Sequence, residues 1–149
     1  MIFLDTNILA RSIQTGHPHH QPAVDAVALL RARDRERFAV SPQVLVEFYA
    51  ICTRTHNGLA LPPQQALLEI SRIKAVYPLL SDSPAIFPTL ESLLAKYFPT
   101  NRRVFDARHV AVMLTHGLSK ILTFNDADFT PFTEITAINP FDLLGLPRT

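Results

Sequence analysis

The sequence has no tryptophan, a single cysteine and only four glycines in 149 residues. One cysteine, Cys52, makes no intramolecular disulfide, so a disulfide-stapled scaffold and a cysteine-rich zinc site are both excluded. With so few glycines there is no GxGxxG or Walker-type loop, and nucleotide binding has no support. No apolar run approaches the roughly 20 residues that span a bilayer. The opening stretch MIFLDTN carries no basic segment, so neither a secretory signal nor a membrane association is expected. An excess of one charge is missing too. Fourteen Lys and Arg against thirteen Asp and Glu leave a net charge of +1, which excludes a polycationic nucleic-acid binder and an acidic tail. No fixed-period repeat or low-complexity tract occurs. A reducing cytoplasmic setting is the expectation.

What the chain does have is 48% apolar residues and twelve prolines. That apolar fraction supports one packed core, and the length suits a single domain over residues 1–149. Ile2 to Leu4 reads as a buried strand, because no polar residue alternates within it. A helical pattern follows through Ile8, Leu9 and Ile13. His17 to Pro22 reads as a loop, Ala23 to Arg33 as a helix and Arg37 to Val40 as a strand. Ser41-Pro42 is a helix start, with Ser as N-cap and Pro at the first helical position, and that helix runs to about Arg54. Pro62-Pro63 opens a helix to about Ala75, and Val76 to Leu80 reads as a strand. Ser83-Pro84 repeats the cap pattern for a helix to Tyr97. Val104 to His116 is helical and stops at Gly117. Lys120 to Thr123 and Ile135 to Ile138 read as strands, with a polar turn from Asn125 to Phe129 between them and a short tail after Asn139-Pro140. Strands alternating with helices predict an α/β fold with a mostly parallel sheet and helices on both faces. Ligands of such sheets bind beyond the carboxyl ends of the strands.

The carboxylates carry the functional reading. Asp5 follows the first strand directly, where a carboxylate is partly desolvated; Asp-Thr-Asn also suits a helix cap. Glu47 has Val44 three positions before it and Ile51 four after, so it lies in the apolar stripe of its helix. A glutamate there is metal-bound, paired with a core arginine such as Arg11, or at the stripe's edge. Asp106 shares a face with Val110 and Met113 and also sits in a first turn, where the helix dipole favours an acid. A fourth cluster, Thr123-Phe124-Asn125-Asp126-Ala127-Asp128, lies past a strand. Each position alone has an ordinary structural reading. Together they place two acidic spots at strand ends and two on inward helix faces, which one parallel sheet can bring to the same rim. Carboxylates sharing a site repel one another unless a cation intervenes. Mg²⁺ or Mn²⁺ suits oxygen-only ligands, and such a site fits phosphodiester hydrolysis.

Four segments, FLDTN at 3–7, SPQVLVEFY at 41–49, FDARHVAVM at 105–113 and ILTFNDADF at 121–129, together resemble the PIN-domain ribonucleases, and within them the VapC-type toxins. The resemblance covers essentially the full length. It implies a three-layer α/β/α sandwich whose central, mostly parallel sheet has four to five strands. It implies a Mg²⁺- or Mn²⁺-dependent endoribonuclease, commonly a homodimer, with a small antitoxin as partner and RNA as substrate. Asp5, Glu47 and Asp106 match the family's first three acids, Thr123 its polar residue beside the metal, and Asn7 the polar residue after the first Asp. Where members often read T-x-D, this chain has Asn125, with Asp126 next to it and Asp128 beyond. Asn125, through a carbonyl or a water, Asp126 and Asp128 are all candidates for the fourth ligand, with Asp126 the first choice. Thr123 is expected to hydrogen-bond Asp5.

Eleven of the fourteen basic residues are arginine, the better phosphate fork. Arg102, Arg103 and Arg108 flank Asp106 and are the expected substrate contacts, along with Asn7. Arg31, Arg33, Arg35 and Arg37 are interleaved with Asp34 and Glu36 and read as a solvated helix end. His17, His19 and His20 read as a stiff surface loop rather than a metal tract, and His109 and His116 as helix-surface residues. The competing function is a PIN-like module weakened at its fourth acid, which binds RNA or an antitoxin without cleaving.

Overall fold

The computed structural model describes residues 1–149. Its centre is strand β1 (Ile2–Leu4). Successive strand side chains point to opposite faces, yet all three here are fully buried, so both faces of the sheet are covered. Four parallel strands lie in the order β2 (Phe38–Ala39), β1, β3 (Lys120–Leu122), β4 (Thr136–Ile138). Parallel neighbours need crossovers, and helices supply them. α1 (Thr6–Ile13) and α2 (His20–Arg33) connect β1 to β2. α3 (Pro42–Thr53), α4 (Pro63–Val76), α5 (Ile86–Tyr97) and α6 (Arg103–Thr115) connect β2 to β3. The one-turn α7 (Asp126–Phe129) lies between β3 and β4, and α8 (Pro140–Leu144) follows. The α/β sandwich expected from the pattern is the observed architecture, with four strands.

Local sequence explains the boundaries. Ser41 Oγ accepts from Val44 N at 3.3 Å with Pro42 at the first helical position, so α3 begins as expected. Ser83-Pro84 does not act the same way; α5 starts three residues after Ser83, behind Ala85 and without a side-chain cap. The stretch read as a strand from Val76 to Leu80 is the end of α4 plus a single bridge between Leu79 and Val40. Pro78 has no N–H to give, so no longer ladder forms there. α2 starts at His20, inside the stretch read as a loop. The polar turn at Asn125–Phe129 winds into α7. The tail becomes α8 because Asn139 Oδ1 accepts from Phe141 N at 3.0 Å.

One continuous core joins Phe3, Ile8, Val44, Phe48, Val110, Met113 and Leu122. Each such side chain contributes about 1.5–3 kcal/mol by leaving water. No helix is long and apolar enough to cross a membrane. The strand order also positions a crevice. From β1 the chain crosses to β2 on one side; from β3 it crosses to β4 on the other. Ligand sites of open α/β sheets lie where connections diverge in this way, at the carboxyl ends of the strands. Leu4 pairs with Leu122, so Asp5 and Thr123 leave the sheet side by side.

Candidate active site

Asp5 occupies that crevice and caps α1 as well. Its Oδ1 accepts from Thr6 N at 2.6 Å, and its Oδ2 accepts from Thr123 Oγ1 at 2.6 Å and Asn7 Nδ2 at 2.9 Å. Thr123 Oγ1 in turn accepts from Asn7 Nδ2 at 3.1 Å and from Asn125 N at 2.9 Å. A hydroxyl has one proton and two lone pairs, and all three are used. Asn7 Oδ1 accepts from Phe124 N at 3.2 Å, which ties α1 to the segment after β3. Burial pushes the Asp5 carboxyl upward, opposed by His109 and by the Thr123 and Thr6 hydrogen bonds, and reinforced by Glu47.

Glu47 reaches the same place from α3. Its Oε2 accepts from Thr6 Oγ1 at 2.9 Å and lies 3.3 Å from His109 Nε2; its Oε1 accepts from Gln43 Nε2 at 2.8 Å. Burial works to raise this carboxyl, but hydrogen bonds from His109, Gln43 and Thr6 outweigh it and hold the group at about 2. Arg11 is not its partner, since that guanidinium donates to Gln14.

Asp106, in the first turn of α6, behaves in the opposite way. No hydrogen bond stabilises its charge. Burial first, then the like charges of Asp128, Asp5 and Glu47, raise it to about 6 against the opposing pull of His109. Three other acids are thus felt at one carboxylate.

The fourth acid is where the structure departs from the sequence-based expectation. Both Asp126 oxygens are engaged by Arg148, at 3.0 Å each, and Oδ1 also accepts from Asn139 Nδ2 at 2.8 Å. Burial would raise Asp126, but Arg148 and Asn139 bring it below the usual carboxylate range. Arg148 also pairs with Asp142, so its one charge serves two carboxylates, and none of the other acids shifts Asp126. Asn125 is exposed at the start of α7 and contributes no side-chain cap. Asp128, one helical step further on, is the residue whose charge Asp106 feels.

The basic residues divide as well. Arg102 and Arg103 stand exposed where α6 begins and pair with no carboxylate. Arg108 is committed within the protein: Nη2 donates to Asp82 Oδ2 and Nη1 to Gln43 Oε1, both at 2.6 Å. His109 is buried at 2% exposure, not on the helix surface, because it shares the inward face of α6 with Asp106 three positions earlier. Its Nδ1 has no partner. His20 Nδ1 contacts Arg11 O at 2.8 Å, and the His19 ring stacks on Phe124 at 4.5 Å, so these histidines pack locally. Sequence reading placed His109 on the helix surface and did not single out Gln43. The signal for His109 was its i+3 spacing from Asp106; Gln43 showed itself only through its i+4 relation to Glu47.

No three His, Cys, Asp or Glu side chains stand close enough to enclose one ion. Mg²⁺ commonly keeps several waters and takes only one or two carboxylates directly. The carboxylate and hydroxyl oxygens present fit such a hard ion, and His109 Nε2, 3.3 Å from Glu47 Oε2, is the one nitrogen beside them.

The PIN-domain family model matches residues 2–133. The chain belongs to the PIN-domain family. Ribonuclease VapC24 of Mycobacterium tuberculosis is 30% identical over 138 residues, which cover 89% of this chain and 91% of that protein. Among solved structures, VapBC2 from Rickettsia felis, bound to a DNA fragment from its promoter, superposes with a TM-score of 0.68 at 17% identity, covering 93% of this chain and 98% of that one. Mycobacterium tuberculosis VapC20, described as a toxin that cleaves the sarcin–ricin loop, gives 0.66 at 19% identity over 89% of this PIN domain and 95% of its own chain. At those identities the structural likeness speaks for the fold.

Proposed function

We propose that residues 1–149 work as one PIN domain that hydrolyses RNA phosphodiester bonds with Mg²⁺ or Mn²⁺, as the toxin of a toxin–antitoxin pair in the cytoplasm. The observation that carries this reading is the field at Asp106: Asp128, Asp5 and Glu47 raise its carboxyl together with burial, a clustering that a divalent cation would offset. Ribonuclease VapC24 and the toxin–antitoxin structures among the relatives support the same activity and an antitoxin partner. A second copy of the chain is the other expected partner.

In this reading one or two of Asp5, Glu47, Asp106 and Asp128 would bind the ion directly and the others through its waters, with Asp128 rather than Asp126 as the fourth acid. When bound, the ion polarises the phosphate and supplies a water of lowered pKa. Thr123 and Asn7 fix the direction of the Asp5 lone pairs. Asp106 gives up its proton above about 6 and then adds the charge that favours a cation. Asn125, whose backbone N donates to Thr123 Oγ1, orients water or substrate. Arg102 and Arg103 contact the RNA backbone.

A cleavage assay on several structured RNAs tests this, with Mn²⁺ or Mg²⁺ titrated against a chelator. Cleavage is expected only with metal. Asp5→Asn, which keeps a residue able to cap α1, should leave the circular dichroism unchanged and slow cleavage roughly a hundredfold or more. An unchanged rate in that variant removes Asp5 from the site. Absence of cleavage on every RNA with either ion favours the competing reading, a PIN domain that binds without cutting.

A further inference from the structure

We propose that Gln43 and Arg108 are positioning residues for Glu47, anchored by Asp82, and that Arg108 is not a phosphate contact. This rests on the reading of Glu47 as part of an RNA-cleaving site. The relay is continuous. Asp82, between α4 and α5, accepts from Arg108 Nη2 at 2.6 Å. Arg108 Nη1 donates to Gln43 Oε1 at 2.6 Å. Gln43 Nε2 donates to Glu47 Oε1 at 2.8 Å.

The chemistry of a primary amide gives the arrangement its direction. A glutamine side chain ends in one acceptor and one donor group, and its last torsion is nearly two-fold. Glu47 and the Phe105 carbonyl, 3.4 Å from Gln43 Nε2, both call for the NH2 group on that side. The oxygen would meet a carboxylate with lone pairs on both sides. Arg108 carries donors only, so it binds the amide oxygen and turns the NH2 group towards Glu47. Asp82 holds the other arm of the planar guanidinium, so the fork has one orientation. On the far side of Glu47, Thr6 Oγ1 at 2.9 Å and His109 Nε2 at 3.3 Å hold Oε2. Both oxygens are thereby directed by the protein. Outer partners of this kind orient a metal-binding carboxylate and set its basicity.

The same geometry argues against a phosphate role for Arg108. Two of its nitrogens are already spent and its charge is matched by Asp82, so it adds no net charge to the RNA-facing surface. Arg102 and Arg103, with no such partners, remain the free cations beside α6.

The test uses Arg108→Ala and Asp82→Ala in the full chain, with two independent readouts. The first is the Gln43 side-chain amide in ¹H–¹⁵N spectra, identified by its loss in Gln43→Ala. Both variants are expected to shift it and speed its exchange with solvent; an unmoved resonance overturns the relay whatever the enzyme does. The second is Mn²⁺-supported cleavage at a temperature where every variant is folded. We expect kcat to fall about tenfold or more with KM unchanged. The double variant should fall no further than Arg108→Ala, because the residues act in series. The salt dependence of RNA binding should keep its slope. A raised KM with the slope lowered by about one would make Arg108 a phosphate ligand instead. Lower stability with kcat intact would make the relay merely structural. If the wild type cleaves no RNA, the nuclease reading fails, and the Gln43 amide still decides whether the relay exists.

Discussion

Asp106→Asn should make the metal-free protein more stable, although it removes a residue proposed to be essential. The carboxyl is raised from 3.8 to about 6 by burial and by Asp128, Asp5 and Glu47. That is roughly two units at about 1.4 kcal/mol each, or about 3 kcal/mol as an upper bound. Asp106 is only partly buried, so solvent screening reduces this. The charge also gains up to about 1 kcal/mol from its place in the first turn of α6, which asparagine forgoes. A net gain of about 1–2 kcal/mol remains, or roughly 2–8 °C in Tm for a chain of this size. The sign follows from linkage. Above about pH 6 the wild type is ionised in both states and carries the full penalty; below the unfolded value of 3.8 it is protonated in both and carries none. Urea unfolding in chelator at about pH 8 should therefore favour the variant, and at about pH 3.5 the two should coincide. Adding Mn²⁺ at about a hundred times its Kd should stabilise the wild type by about 2.7 kcal/mol and reverse the order. A variant no more stable than wild type at the higher pH would refute the shared-field argument. An advantage equal at both pH values would trace to packing instead.

The fourth acid separates by two substitutions. Asp128→Asn should weaken Mn²⁺ binding, measured by calorimetry, whereas Asp126→Asn should leave the metal affinity alone and loosen the segment tied to Arg148, seen as faster amide exchange around α7. Arg102→Ala and Arg103→Ala should each weaken RNA binding across sequences and lower the slope of log K against log salt by about one; an unchanged slope removes them from the RNA surface. Metal affinity itself should climb as pH rises through about 6, as Asp106 loses its proton, and a flat profile would mean that this carboxyl does not contact the ion.

Much of the architecture was written in local pattern. Ile2 to Leu4, with no polar interruption, identified the central strand; Ser41-Pro42 marked the start of α3; the order of strands and helices implied the parallel sheet. The proposed site was legible where an acid sits at a strand end or at i+3 and i+4 from core residues, as Asp5, Glu47 and Asp106 do. It was not legible where a distant partner decides. Asp126 and Asp128 look alike in a turn, and what distinguishes them is Arg148, 22 positions from Asp126. Arg108 looks like a phosphate fork until Asp82 and Gln43 are seen to hold it. Pro78 marks the one place where an apolar stretch misled, since its missing N–H stops a strand that the pattern otherwise allows.

The pairing of Leu4 with Leu122 also sets a timetable. The hydrogen bond from Thr123 to Asp5 spans 118 positions, so the crevice closes only after the chain has been made through β3 and the two segments have met. Contacts this distant in sequence form late, because the intervening loop must be closed first. Domains emerge from the ribosome amino end first. A growing chain that already displays Asp5, Glu47 and Asp106 still lacks β3, and Asp5 then has neither Thr123 nor a neighbouring strand to hold it. The crevice around Asp5 is therefore completed in one late step, when β3 pairs with β1 and brings Thr123 beside it.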